Sequence, residues 1–317
     1  VTMNLQFEEL TGTDGARLGI ATLDAEKSLN ALSLPMILAL QDRLYAWASD
    51  PQIVCVLLRG NGTKAFCAGG DVRALVEAAH GKPGTVPPLA AQFFAAEYRL
   101  DYALHTYPKP VICWGHGYVL GGGMGLLQSA SIRVVTPSSR LAMPEINIGL
   151  YPDVGASWFL SRLPGKLGLF LGLTGSHING RDALDLDLAD RFLLEDQQEE
   201  MIDRLLQLNW QEQTAVQLNS LFKALQREAL DHLPVAQWLP RRQQIDELLD
   251  VGDAICAWNA LKHQLHAQDA LLAKAAKSLT EGCPMTALLV WEQIQRARHL
   301  SLAEVFQMEY SMSLNCC

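Results

Sequence analysis

Lys64-Ala65-Phe66-Cys67-Ala68-Gly69-Gly70-Asp71-Val72-Arg73 and Gly115-His116-Gly117-Tyr118-Val119-Leu120-Gly121-Gly122-Gly123-Met124-Gly125 are the two stretches on which the fold turns. Each follows a continuous apolar run, residues 53–58 and residues 111–114, as expected of strands buried on both faces. Each leads into a helix, one starting near Asp71 and the other running through Leu126-Leu127. Consecutive glycines carry no Cβ, so the backbone can approach a ligand closely. Their N–H groups sit at helix starts, where orphan donors and the helix dipole favour negative charge. Two such loops facing one another hold one oxygen between two N–H groups. That is an oxyanion hole, and each donor contributes about 3–4 kcal/mol of transition-state stabilisation.

Outward from these loops the first half alternates between strand and helix. Residues 4–10 and 17–23 read as two strands around a Gly12-Thr13-Asp14-Gly15 turn. Ser33 is an N-cap with Pro35 in the first turn, and Ile37, Leu40, Leu44 and Trp47 recur at helical spacing to Ser49. The loop over residues 60–71 is expected to stay irregular. Residues 81–88 form a breaker cluster, read as a surface loop, and residues 90–106 a helix ended by Pro108 and Pro110. Residues 132–136 and 140–142 are further strands. From about residue 156 the pattern turns helical, with helices over residues 195–208, 214–230, 241–249, 254–272 and 285–297. The fold class is α/β, with a core over residues 1–195 and a helical C-terminal region over residues 196–317.

The bulk composition narrows the partners. The chain has 317 residues, 49% apolar and 19% charged, which fits a globular protein. Its apolar runs are far shorter than the roughly 20 residues a membrane helix needs, so no membrane partner is expected. A net charge of −9 repels nucleic acid and anionic lipid over most of the surface. Seven cysteines without a CxxC pair point to reduced thiols. No metal is expected, because His263 and His266 lack further ligands nearby. The N-terminus lacks the marks of a signal or transit peptide. The expected compartment is the cytoplasm, or the mitochondrial matrix if a presequence has been removed.

Rival motifs are weaker. Gly60-Asn61-Gly62-Thr63-Lys64-Ala65 matches a dinucleotide fingerprint after a strand, but no helix opens there, so a structural turn is the better reading. No G-x-S-x-G elbow exists, which argues against a serine α/β-hydrolase. His116, between two glycines, reads as a packing or capping residue.

Residues 65–71 and 117–123 combine with a third element, Met143-Pro144-Glu145-Ile146-Asn147-Ile148-Gly149-Leu150-Tyr151-Pro152-Asp153-Val154-Gly155. In order and spacing the three resemble the crotonase, or enoyl-CoA hydratase/isomerase, superfamily. The resemblance implies a ββα spiral core. Within the superfamily the chain is similar to the 3-hydroxyisobutyryl-CoA hydrolase branch, on Pro144-Glu145, residues 151–155, Phe93-Phe94-Ala95-Ala96-Glu97-Tyr98 and Met308-Glu309-Tyr310-Ser311-Met312-Ser313. That likeness implies hydrolysis of a short branched 3-hydroxyacyl-CoA thioester, as in valine catabolism, without a separate cofactor because coenzyme A is part of the substrate. A homo-oligomer, trimer or hexamer, is implied in the same way.

Carried over residue by residue, the oxyanion hole falls on the Gly70 and Gly122 N–H groups. The Ala68 backbone meets the adenine beside Gly69, and Arg73 stands near the CoA phosphates. Glu145 acts on the thioester carbonyl as nucleophile or as general base for water, a choice left open here. Asp153 is the second carboxylate; it orients water, binds the substrate 3-hydroxyl or protonates the leaving thiolate. Glu97 resembles a substrate-pocket residue, although with Arg99 and Asp101 it also fits an ordinary charged helix face. One departure is chemical. Hydratases of the superfamily carry a second glutamate two residues after the glycine triplet, and here that position is Gly125. Hydration or isomerisation with a single glutamate remains an alternative, as does acyl-CoA binding without catalysis.

Overall fold

The computed structural model describes residues 4–80 and 84–317; residues 1–3, and residues 81–83 of the breaker cluster, lie outside the described residues. An antiparallel hairpin of β1 (Leu5–Thr11) and β2 (Arg17–Leu23) opens the chain, followed by α1 (Leu34–Ser49). Ser33 caps α1 by accepting from the Met36 N–H, with Pro35 in the first turn, as expected. Three strand pairs follow. The first is β3 (Ile53–Gly60) with β4 (Ala65–Cys67), leading into α2 (Val72–Ala79) and α3 (Pro88–His105). The second is β5 (Val111–Gly115) with β6 (Tyr118–Leu120), leading into α4 (Gly122–Ser129). The third is β7 (Ile132–Val135) with β8 (Arg140–Ala142), leading into a 3-10 turn, Glu145–Ile148.

Each pair divides between two sheets. The larger has the order β1-β2-β3-β5-β7-β9, with β9 (Arg191–Phe192) at its edge, and the smaller is β4-β6-β8. All pairings except β1–β2 are parallel. This is the ββα spiral that the sequence resemblance implies. The expected irregular loop over residues 60–71 needs correction, because it contains β4, paired with β6 through Ala65–Tyr118 and Cys67–Val119. Strands of three residues are too short to display a period of two. Their consequence is large: the C-terminal ends of β4, β6 and β8 lie side by side, and so do the segments that follow them. In parallel sheets that edge is where ligands bind.

The helices are α5 (Ala156–Ser161), α6 (Leu167–Thr174), α7 (Gly180–Asp185), α8 (Gln197–Leu206), α9 (Thr214–Ala229) and α10 (Arg242–Leu248). Then come α11 (Ala254–Lys262), α12 (Ala270–Glu281), α13 (Pro284–Ala297) and α14 (Leu302–Cys316). The single helix expected over residues 254–272 is two. α11 ends in a 3-10 turn, and Asp269 starts α12 by accepting from the Leu271 and Leu272 N–H groups. α8 and α9 cover one face of the larger sheet, where Met201, Leu205 and Phe222 meet Ile20, Leu57 and Trp114. α14 returns to the other side of the molecule. Its Phe306 lies 6.0 Å from the Tyr98 ring and beneath Gly155, where an added Cβ would stand 3.2 Å away. Burying such a side chain contributes about 1.5–3 kcal/mol, so α14 is pinned against α3 and α5.

Candidate active site

The three segments after β4, β6 and β8 meet at one place. The first is anchored to residues 29–32: Ala68 N–H donates to Leu29 O (2.9 Å), Leu32 N–H to Gly69 O (2.8 Å) and Asp71 N–H to Leu32 O (2.8 Å). These bonds leave the Gly70 N–H without an acceptor among the described residues. Gly69 turns the chain at φ +114°, and Gly121 does the same at φ +49°, conformations that side chains with a Cβ rarely adopt. Gly121 N–H is taken by Ala142 O, whereas Gly122 opens α4 and its N–H is one of the helix's orphan donors. The loops abut: a Cβ on Gly122 would stand 3.4 Å from Gly70 N, and one on Gly69 3.9 Å from Gly122 N. The structure therefore brings Gly70 and Gly122 together, each with a free N–H. Ala68 is half-buried beside them.

Carboxyl groups face this pair. Glu145 begins the 3-10 turn after Pro144 and is 5% exposed; its Oε1 lies 2.8 Å from where a Gly121 Cβ would stand, and its buried Oε2 has no partner. Glu97 projects from α3 and places Oε1 2.6 Å from the corresponding point on Gly122. Asp153 precedes α5, and its Oδ2 accepts from the Tyr98 hydroxyl at 2.5 Å. Glu97, Glu145 and Asp153, singled out from sequence, are thus all buried at the glycine pair or at its neighbouring wall. Arg73 is not; it sits on the exposed face of α2. His116 holds Gly62 O at 2.8 Å through Nε2, the packing role expected of it.

Two further carboxyls join them: Asp101, which the sequence suggests as part of an ordinary charged helix face, and Glu309. Asp101, one turn beyond Glu97, is 1% exposed, and its Oδ2 has no hydrogen-bond partner. It lies 2.9 Å from where a Gly125 Cβ would stand, while Val154 Cβ is 2.7 Å from the same point. The missing side chain at position 125 is therefore replaced by Asp101 and Val154. Glu309, from α14, accepts from Gly155 N–H (2.7 Å) and Ser157 N–H (2.9 Å) at the start of α5. Glu309 lies in the sequence within the stretch over residues 308–313 that carries part of the resemblance, and nothing local marks it as buried.

So many acids in one dry region cannot all be ionised. Burial, then the charges of Asp153, Asp101, Glu145 and Glu309, push Glu97 well above the usual carboxyl range. Burial, then Asp153, does the same to Asp101 and Glu145. Burial raises Asp153 to about 6 against the opposing Tyr98 hydrogen bond, and raises Glu309 to about 8. The push is weakest on Asp153, so it is the member of the cluster that gives up its proton most readily as pH rises toward neutral.

A polar cleft of about 870 Å³ opens beside the small sheet, lined by Tyr118, Arg140, Asn147, His177, Arg241 and Lys274. Arg241 is paired with Asp269 at 2.7 Å. Burial and then Lys274 and Arg140 hold the His177 imidazole below its usual range, which places these cations together. The cleft was invisible in the sequence, since its cations come from residues far apart in the chain.

The family model for enoyl-CoA hydratase/isomerase matches residues 18–317. The chain belongs to the enoyl-CoA hydratase/isomerase family. A 3-hydroxyisobutyryl-CoA hydrolase, mitochondrial, of Danio rerio is 37% identical over 95% of this chain and 76% of its own length. A carnitinyl-CoA dehydratase from Mycobacterium thermoresistibile has a similar structure, with a TM-score of 0.84 at 31% identity over 98% of this chain and 85% of that one. An enoyl-CoA hydratase from Rhodobacter sphaeroides 2.4.1 follows at a TM-score of 0.79 and 29% identity, over 98% of this chain and 84% of that one. This crotonase-superfamily chain is thus an acyl-CoA-processing enzyme, and thioester chemistry on an acyl-CoA is its reaction class. No helix among the described residues is long and apolar enough to cross a membrane.

Proposed function

We propose that this crotonase-superfamily enzyme hydrolyses a short branched 3-hydroxyacyl-CoA thioester, of the 3-hydroxyisobutyryl-CoA kind, to the free acid and coenzyme A. The observation that carries this reading is the surroundings of Gly125: Val154 Cβ at 2.7 Å and Asp101 Oδ2 at 2.9 Å from its absent Cβ leave no room for a hydratase's second glutamate there. The thioester oxygen sits toward the free N–H groups of Gly70 and Gly122, which stabilise the tetrahedral oxyanion. Glu145, whose Oε2 is unpartnered, acts in its ionised form on the carbonyl carbon, as nucleophile through a mixed anhydride or as base for water; the C–S bond breaks as the tetrahedral adduct collapses, and the departing thiolate takes up the proton that the attacking water gives up. Asp153 has one oxygen held by Tyr98 and uses the other to accept from the attacking water or the substrate 3-hydroxyl. Glu97, kept protonated, donates to the same hydroxyl. Two sets of cations are available to the CoA phosphates, Arg140 and Lys274 in the polar cleft and Arg73 at the place the motif implies, with Ala68 and Gly69 along the nucleotide. The mitochondrial name of the Danio rerio relative supports the mitochondrion over the cytoplasm as the compartment.

A second reading is hydration or isomerisation of an enoyl-CoA. It is favoured by the names of the two similar solved structures, a dehydratase and a hydratase. Asp101 also favours it, since its Oδ2 stands where the second carboxylate's stem would begin. One experiment separates the two. The purified protein is given 3-hydroxyisobutyryl-CoA and, separately, a 2-enoyl-CoA, while free thiol and double-bond absorbance are followed. Thiol release that is abolished in Glu145→Gln is expected. Absorbance change without thiol release overturns the hydrolase in favour of the second reading.

A further inference from the structure

Asp153 is joined to the C-terminal helix by a chain of hydroxyl groups. Tyr98 Oη lies 2.5 Å from Asp153 Oδ2 and 2.5 Å from Ser313 Oγ. Ser313 Oγ lies 2.8 Å from Tyr151 Oη, which lies 2.5 Å from Glu309 O. The helix that carries Ser313 and Glu309 is itself fastened, because the Glu309 carboxyl accepts from the first N–H groups of α5, just beyond Asp153. Ser313 and Glu309 are 0% exposed, so no water competes for these bonds.

Counting protons gives the chain a direction. Three hydroxyls have three protons for four contacts. With Asp153 ionised, Tyr98 gives its proton to the carboxylate, the stronger, charge-assisted acceptor. Ser313 then donates to Tyr98, whose oxygen is free to accept. Tyr151 gives its proton to the Glu309 carbonyl, the shorter of its two contacts. Ser313 thus polarises Tyr98 toward Asp153, and Tyr151 stands outside the donating path.

We propose that Ser313 of the C-terminal helix is a positioning residue for Asp153, acting through the Tyr98 hydroxyl to hold the carboxylate in its aim and in its ionised form. Resting on the reading above, in which Asp153 works as an ionised acceptor, this gives the last turns of the chain a part in the reaction although they touch no substrate. Asp153 is faced by Glu97, Tyr98 and Asp101 from α3, and by Glu145 from the 3-10 turn. Tyr151 adjoins it in its own segment, and Glu309, Cys316 and Cys317 face it from α14. Among the described residues the Tyr98 hydroxyl alone donates a side-chain hydrogen bond to the carboxylate, and that bond opposes the upward push of burial.

The test titrates Asp153 directly, by carbon NMR of 13C-labelled aspartate carboxyls with the resonance assigned through Asp153→Asn. It is done in wild type, Tyr98→Phe, Ser313→Ala and Tyr151→Phe, with folding checked by circular dichroism. Losing a bond to the charged form should raise the Asp153 midpoint by about one pH unit in Tyr98→Phe and about half a unit in Ser313→Ala. Tyr151→Phe should leave it in place. The acid limb of kcat should move by the same amounts, with KM unchanged. A folded Ser313→Ala with an unmoved or lowered midpoint overturns the proposal. So does a Tyr151→Phe shift as large as that of Ser313→Ala, which would mean that the protons run the other way. Because the NMR titration needs no turnover, it stands even if no thiol is released and the hydrolase reading fails.

Discussion

The wall of the site made by the two glycine loops presents backbone N–H groups and no side chains, whereas the wall made by α3 and α14 presents Glu97, Tyr98, Asp101, Ser313 and Glu309. The donors of the first wall are backbone N–H groups, which do not titrate, and they are fixed by φ angles and by the bonds of Ala68, Gly69 and Asp71 to residues 29–32. It works the same at any pH and tolerates no added atom. The second wall is titratable, dry and held by long-range contacts, so its state depends on pH and on the seating of one helix. A thioester needs both: a preorganised donor pair for the oxyanion and an adjustable set of proton carriers around it.

The sharpest way to break this division is to put a side chain on the backbone wall. In Gly122→Val the new Cβ would stand 2.6 Å from Glu97 Oε1 and 3.4 Å from Gly70 N. Loss of a donor pair of this kind costs about 10³-fold or more in kcat. The variant should show an unchanged far-ultraviolet spectrum with turnover reduced to that extent. Near-normal turnover would remove the oxyanion pair from the mechanism.

The opposite wall should reveal itself through pH. Folded, the Asp153 carboxyl keeps its proton to about 6 and that of Glu309 to about 8, while in the unfolded chain both lose it near 4. Between those values the native state binds more protons than the unfolded one, so stability falls as pH rises. It is greatest below the unfolded value and is lost through the folded ones. The Tm at pH 8.5 should lie below that at pH 5 by on the order of 5 °C, and Glu309→Gln should flatten the slope. A Tm that climbs over this range would show the cluster to be charged throughout.

The two walls were also unequally legible. Consecutive glycines after apolar runs announce themselves, and it is the pairing of Gly69-Gly70 with Gly121-Gly122-Gly123 that points to a site, since one such run alone also serves close packing, as Gly123 does against Cys67 O. The strands beneath them, β4 and β6, were missed because three residues carry no periodicity. Glu145 and Asp153 stood out through neighbouring prolines and a recognisable segment. Asp101, Ser313 and Glu309 look like ordinary residues on amphipathic helices; what makes them special is a partner far along the chain, such as Tyr98 for Ser313. Local pattern encodes backbone geometry well and encodes convergence of distant side chains hardly at all. Arg73 is legible from its place in a motif and lies exposed on α2, whereas Arg140 and Lys274, the cations of the cleft beside the small sheet, come from distant parts of the chain and carry no local mark.

Where the walls meet, Gly125 sharpens the comparison. It belongs to α4 by sequence but is packed against Asp101 Oδ2 and Val154. Gly125→Ala gains helix propensity of up to about 1 kcal/mol, yet its methyl would overlap both neighbours. Overpacking of this kind costs about 1–3 kcal/mol. The net result should be a lower Tm despite the better helix former. A stabilised variant would show that Asp101 moves aside readily and that the space is open to a carboxylate.

The smallest effect is expected furthest from both walls. Lys274 is exposed on α12 at the polar cleft, so its charge reaches a bound phosphate through solvent and is screened by salt. Lys274→Glu should raise KM for an acyl-CoA by roughly threefold to tenfold at low ionic strength, since a single exposed charge is worth about 1 kcal/mol or less and the substitution also reverses its sign. The effect should shrink at 0.5 M salt, and kcat should stay unchanged. An acyl-pantetheine, which carries the thioester but no nucleotide, should not sense the substitution. Its KM separates the cleft from the chemistry: if it rises as well, Lys274 acts on the reacting end and the cleft is not where the phosphates lie. If neither KM changes, the nucleotide runs along Ala68 toward Arg73 instead, and the cation first read from the motif regains its role.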